Sequence, residues 1–196
     1  MSAGDRTYVA HSERLRLRPL DEGDVEQVGA WLDDPLLRRS YLVTEDRLDG
    51  RAVVQGVIEW ARGTDGVAAW AIEHHDGRLM GMGNWKPDVP FLWVYEIEVT
   101  LGPAVATGRG YGTEAHQLVI DHLFETIRPA KAFGRIALFN DAMRAIVPKL
   151  GATEEGLLRA HARLGDRPVD LVVAGMLLEE WEASRRAGRA VPVPVH

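Results

Sequence analysis

Leu15 and Leu17 alternate with Arg14, Arg16 and Arg18, a period of two that predicts a half-buried strand, and Pro19 stops it. The period then changes. Val25, Val28 and Leu32 recur at helical spacing, so residues 21–32 read as an amphipathic helix that Asp21 caps and Asp33-Asp34-Pro35 ends. A second helical stripe, Val53, Val54, Val57 and Ile58, occupies residues 45–61, and Gly63-Thr64-Asp65-Gly66 breaks it. Residues 67–75 and 78–85 flank Asp76-Gly77, a hairpin turn dipeptide. After a loop at 87–90, residues 91–101 form a further strand. Ala115, Leu118, Val119, Leu123 and Phe124 mark a helix over 112–126, which crosses over to a strand at 134–139. A short helix begins at Asn140-Asp141, meets Pro148 near its end and closes at Gly151. Residues 153–162 and 167–176, joined through Gly165-Asp166, read as a last hairpin, and 179–186 as an exposed helix. Residues 1–12 read as a loose leader and 187–196 as a tail.

The resulting order, β-α-α-β-β-β-α-β-α-β-β, sets antiparallel hairpins on either side of one strand–helix–strand crossover. That predicts an α+β class, a mixed and mostly antiparallel central sheet flanked by helices, in one domain over residues 13–186. A chain of 196 residues suits one sizeable core, and 46% hydrophobic with 27% charged residues is the balance of a soluble globule. The net charge of −6 argues against nucleic acid or an anionic membrane as partner and mildly favours a cationic one, such as an amine. With no cysteine there is no disulfide, no thiolate metal site and no cysteine nucleophile. The seven histidines show no metal-ligand spacing, so no metal is expected. No apolar run is long enough to span a bilayer and no secretory pattern opens the chain, which makes the cytoplasm the default compartment.

One stretch carries chemistry on its face: Thr107-Gly108-Arg109-Gly110-Tyr111-Gly112-Thr113-Glu114-Ala115. Alternating glycines permit positive φ and remove side chains that would hold a ligand away. The helix that follows aims unpaired N–H groups and its dipole at one spot, which is a seat for phosphate. Arg109 adds a fixed charge and Thr113 a hydroxyl donor. The plain alternative is a turn that precedes a helix. Gly110 to Ala115 also fits a dinucleotide fingerprint, but that pattern needs its glycines at the end of a strand, and residues 102–108 intervene.

The stretch resembles the pyrophosphate loop of the Gcn5-related N-acetyltransferases (GNAT), Arg/Gln-x-x-Gly-x-Gly/Ala, with Gly110 and Gly112 in register and Thr107 where Arg or Gln is usual. Two further pieces extend the resemblance to the subgroup that includes the ribosomal-protein N-acetyltransferases. One is the opening Glu13-Arg14-Leu15-Arg16-Leu17-Arg18-Pro19-Leu20. The other is Asn140 followed by Lys149-Leu150-Gly151 and Glu155-Gly156-Leu157-Leu158-Arg159, with Ala152 replacing the usual Phe. The resemblance implies acetyl-coenzyme A as acyl donor and an amine as acceptor, either a protein N-terminus or a small amine such as an aminosugar or antibiotic. It implies transfer within a ternary complex. It further implies that backbone around Val99, Thr100 and Leu101, at a strand bulge, meets the thioester and pantetheine arm. Thr107 to Thr113 then hold the diphosphate, and Asn140 touches the cofactor arm unless it merely caps a helix. Arg144 reaches the phosphates or only solvent. Oligomeric state stays open, a homodimer among the options.

Acyl transfer to an alkylammonium of pKa near ~10 requires a base. Alternation puts Glu96, Glu98 and Thr100 on one face of their strand and Ile97, Val99 and Leu101 on the other. Two carboxylates on one face repel, and burial would raise at least one pKa, so both are candidates. The resemblance implies an acidic base on this strand, a position that Glu96 fits best and Glu98 next, counting back from Gly110. A solvated polar face, or pairing with arginine, is the alternative. Many family members carry a tyrosine acid seven residues after the motif Asn; here that position is Val147. Trp31, Trp60, Trp70, Trp85 and Trp93 either line an acceptor pocket or belong to the core. A different class of function, a non-catalytic acyl-coenzyme A sensor or interaction module, competes with the enzyme.

Overall fold

The chain's structure, a computed structural model, describes residues 7–40, 49–103, 105 and 108–188. Eight strands form one sheet: β1 (Ala10–His11), β2 (Leu15–Pro19), β3 (Ala68–His74), β4 (Leu79–Asp88), β5 (Phe91–Leu101), β6 (Lys131–Ala137), β7 (Thr153–Leu164) and β8 (Arg167–Leu177). Their spatial order is β1-β2-β3-β4-β5-β6-β8-β7. All neighbours run antiparallel except β5 and β6, the pair joined by helix α4 (Tyr111–Thr126). This is the mixed sheet with one crossover that the period changes predict.

The alternation of each strand decides which helix it receives. On β3, Trp70 and Ile72 meet the face of the sheet that also takes Leu118, Val119, Leu123 and Phe124 of α4. Ala69 and Ala71 point the other way, where α1 (Val25–Leu32) and α3 (Gly50–Gly63) supply Val28, Val54 and Ile58. The result is three layers, helix–sheet–helix, with apolar side chains closing both interfaces.

Four local readings change. Ala10 and His11 pair with Leu17 and Arg16, so the last part of the stretch read as leader is an edge strand; its period is too short to show in sequence. Pro35 does end α1, yet it also opens α2 (Pro35–Ser40), because a missing N–H costs nothing in a helix's first turn. Helix α3 begins at Gly50 rather than near 45: Asp49 caps it by accepting from Arg51 N at 2.9 Å, and residues 45–48 lie outside the described residues. The short helix after Asn140 is two pieces, α5 (Asp141–Arg144) and α6 (Val147–Leu150), with Pro148 in the first turn of the second. The closing helix α7 (Leu178–Arg186) is exposed on most sides but buries Trp181, stacked on Phe124 at 5.2 Å.

Beneath α1 lies a charged knot that the sequence leaves unseen. Arg18, Glu73 and Asp24 are all buried; Arg18 donates to Glu73 at 2.9 Å and to both Asp24 oxygens at 2.7 and 2.6 Å. Tyr8 adds a bond to Glu73. Removing one member strands the others' charges, so the knot fixes how α1 enters the sheet.

Two adjacent core residues of α4 titrate in opposition. Burial pushes the Asp121 carboxyl up to about 6, against bonds from Trp181 (2.6 Å) and Gln117 (2.9 Å) and the nearby Arg185 charge. Burial between Trp70 and Trp85 pushes His122 down to about 4. Asp121, raised above its unfolded value, stabilises the fold below pH ~4 and loses that contribution as pH climbs through 6. His122, lowered, stabilises above pH ~6.5 and loses it as pH falls towards 4. Over this window the two nearly cancel. Asp121→Asn is therefore expected to gain on the parent by about 2–3 kcal/mol between pH 4 and pH 7 in urea unfolding. A difference that stays constant with pH would mean Asp121 does not titrate there.

Candidate active site

β5 and β6 are hydrogen-bonded partners only at Val94↔Lys131, Tyr95↔Ala132 and Glu96↔Phe133. Beyond these pairs β6 stays with β8 while β5 stays with β4, and the two part. A cleft of about 680 Å³ opens between them. Its lining comes from both faces of the sheet. Val99, Gly112, His116, Asn140 and Ile146 line the α4 side, and Glu96, Glu98, Arg135, Val53 and Val57 line the α1–α3 side. A passage through a sheet suits two reactants that enter from opposite faces and meet in the middle.

At one mouth α4 begins. Gly110 is its N-cap with φ 80°, in the left-handed region, and has no side chain to cap with. The first amides, from Tyr111 to Thr113, therefore have no partner within the helix. Gly112 lines the cleft, and a Cβ there would stand 3.0 Å from Ile146 Cδ1. These bare amides, the αL turn and the helix dipole fit a diphosphate, so residues Gly108, Gly110, Tyr111, Gly112 and Thr113 would hold that part of acetyl-coenzyme A. The junction is braced from β2's approach. Arg14 Nη1 donates to the Arg109 carbonyl at 2.9 Å, Arg14 Nε to Glu114 at 2.7 Å, and Ser12 Oγ to Glu114 at 2.7 Å. Tyr111, rather than flanking the mouth alone, lies under the Arg14 guanidinium at 4.1 Å. Arg109 is exposed at the turn, and Thr107 lies outside the described residues.

At the other mouth the two candidate bases part company. Glu96 is 5% exposed; Arg135 forks both its oxygens at 2.7 and 2.5 Å, and Lys86 Nζ stands 3.1 Å away. Burial alone pushes this carboxyl up, but the Arg135 and Lys86 bonds outweigh it and hold Glu96 below the usual carboxylate range. The expectation that repulsion and burial raise it is corrected by two cations whose positions depend on strand register. Glu98 is half-exposed, accepting from Lys86 Nζ at 3.0 Å and Asn84 Nδ2 at 3.2 Å. It lines the cleft and is far more open than Glu96.

Val99, Thr100 and Leu101 line the cleft, and the β4–β5 pairing shows no bulge there: it runs without a break from Gly81↔Leu101 to Pro87↔Tyr95. The register shift falls at Pro87/Asp88 instead, near the hairpin's end. Asn140 caps α5, accepting from Met143 N at 3.1 Å, and it also lines the cleft. Arg144 is not brought to the cleft; it pairs with Glu154 at 2.9 and 3.1 Å. Val147 is buried and carries no proton. None of the five tryptophans lines the cleft: Trp70 and Trp85 are core, Trp31 packs beside α1's partners, and Trp60 and Trp93 are exposed.

Sequence reasoning misses Lys86, Asn84, Arg135 and His116. His116 Nδ1–H donates to the Gly112 carbonyl at 2.7 Å, and burial pushes its pKa down, so a neutral imidazole lines the cleft. The one available signal was its place one turn into the glycine-led helix.

Residues 14–153 match the family model described as the acetyltransferase (GNAT) domain. No curated protein matches at comparable stringency. Among solved structures, the spermidine N-acetyltransferase from Vibrio cholerae in complex with CoA and spermine superposes with TM-score 0.76 at 16% identity, over 86% of this chain and 98% of that one. Mycobacterium smegmatis RimJ in complex with CoA-disulfide gives TM-score 0.73 at 20% identity, over 97% and 99%. RimL, the ribosomal L7/L12 alpha-N-protein acetyltransferase, gives 0.76 at 17%, over 90% and 97%. At these identities the likeness is one of fold. No helix among the described residues is long and apolar enough to cross a membrane.

Proposed function

The chain belongs to the acetyltransferase (GNAT) family and is an N-acetyltransferase, and from that premise we propose that it moves the acetyl group of acetyl-coenzyme A directly to a primary amine in a ternary complex. The observation that carries this reading is the cleft lined from both faces of the sheet, with bare helix amides at one mouth and carboxylates at the other. Acetyl-coenzyme A supplies the activated acyl group. The chain's own residues do the rest. Amides of Tyr111 to Thr113 grip the diphosphate, the β5 edge from Val99 to Leu101 and Asn140 guide the arm, and the cleft walls exclude water.

Glu98 is the favoured proton acceptor, directly or through a water, because it lines the cleft and is open where Glu96 is buried against two cations. Glu96 serves as a positioning residue, locked by Arg135, that holds Lys86 beside Glu98. With Val147 where an acid is usual, the thiolate, of pKa near ~8.5, leaves unaided. The solved neighbours act on a polyamine and on a protein N-terminus, which supports an amine acceptor and leaves both kinds in play. The test is thiol release from acetyl-coenzyme A against a panel of small amines and peptides. Turnover on at least one is expected. Tight binding of the coenzyme with no turnover on any acceptor would replace the enzyme with a sensor.

A further inference from the structure

The α1–α3 mouth of the cleft has an unusual wall. Val54 and Ile58 of α3 already fill the core, fully buried. Their neighbours Val53 and Val57 are turned instead to the cleft, only partly buried, where Leu32, Leu37 and Met82 join them. These five side chains present no hydrogen-bonding group. Beside them the carboxylates Glu96 and Glu98 face the cations Lys86 and Arg135, joined at 2.5 to 3.1 Å, and Asp88 adds one further negative charge within reach of Arg135. Such a mouth offers one hydrogen-bonding carboxylate for one ammonium and an apolar floor next to it. Among the described residues these five groups leave one negative charge over, enough for one ammonium but not for a polycation's second and third.

Resting on the reading that this cleft receives the amine, we propose that the acceptor is a monoamine with a compact apolar side group next to the nitrogen. That group seats against Leu32, Leu37, Val53, Val57 and Met82, which set specificity. The physical reason is burial: a branched apolar group that leaves water for this floor gains more transfer free energy than a lone methylene, and burying a hydrated ammonium there costs free energy.

Three probes isolate the effect. Leucinamide and glycinamide carry the same α-amine and differ by an isobutyl group, and spermidine carries several charges and no branched group. In the thiol-release assay with the full chain, kcat/KM for leucinamide is expected to exceed that for glycinamide by about tenfold or more, mainly through KM, with spermidine below leucinamide. Filling the pocket with Val53→Trp should draw the leucinamide-to-glycinamide ratio towards one. Val53→Ala, which enlarges the pocket and strains nothing, should shift preference from leucinamide towards phenylalaninamide, and it keeps the test alive if the tryptophan variant does not fold. Equal rates for leucinamide and glycinamide, or spermidine as the best of the three, overturn the inference while leaving the acetyltransferase reading intact. Calorimetry in the presence of coenzyme A separates the other failure. If no probe turns over but leucinamide still binds tighter than glycinamide, the pocket assignment holds and the catalytic reading falls; if neither binding nor turnover ranks them, the pocket assignment falls.

Discussion

A Gly112→Val variant is expected to lose coenzyme A affinity by about a hundredfold or more while keeping its fold. The argument has two halves. Within the protein, the new Cβ meets only Ile146 Cδ1, the tip of a flexible side chain 3.0 Å away, so a small rotation admits it. Gly112 also sits in the first turn of α4, where valine is no worse a helix residue than glycine. Towards the cleft, however, the valine methyls stand among the amides of Tyr111 to Thr113 and hold any phosphate off by more than hydrogen-bond length. A hundredfold corresponds to about 2.7 kcal/mol, a modest share of what several charge-assisted amide bonds supply. Calorimetric titration with coenzyme A, beside a thermal melt of each protein, measures both halves. If the variant melts normally and binds as before, the diphosphate is held somewhere other than the start of α4.

Glu98→Gln should reduce kcat by about a hundredfold near neutral pH with the coenzyme dissociation constant unaltered. The glutamine keeps the shape and the Lys86 and Asn84 neighbours but cannot take a proton. The deficit should shrink as pH rises towards ~10, where amine acceptors lose their proton to solvent without help. Glu96→Gln makes the contrasting case. Its parent carboxylate is buried, already committed to Arg135 and Lys86 through both oxygens, and held below the usual range, so it is ionised at every working pH. Its loss should show chiefly as reduced stability towards urea, since the two cations lose their common partner, with kcat changed by less than about tenfold. A Glu96→Gln protein that folds normally yet loses as much kcat as the Glu98 variant would return the base to Glu96.

The difference between these two carboxylates shows where sequence reading stops. Alternation correctly puts both on one face of β5, because side-chain direction in a strand is a local property of the backbone. Which cations meet them is not local. Lys86 arrives by the β4–β5 register, displaced from that of a tight two-residue turn by the shift at Pro87/Asp88, and Arg135 arrives by a parallel pairing across an intervening helix. The same limit hides the sandwich of His122 between Trp70 and Trp85, whose members lie on three different elements, and the docking of Trp181 on Phe124. It also explains Arg144: its position one turn past Asn140 is legible, but its partner Glu154 lies on the next hairpin.

By itself the sequence determined most of the strands and helices, though not β1 or α2, together with the parallel crossover and the glycine-led helix start. Each of these follows from periodicity and backbone freedom within about a dozen residues. Only the tertiary structure decided that β5 and β6 part after Glu96, that the opening runs through to an apolar floor beneath α3, and that Glu96 is neutralised while Glu98 faces the cleft. Those outcomes depend on strand register and on which surfaces remain uncovered once the core has closed, and both are set by contacts between residues distant in the chain.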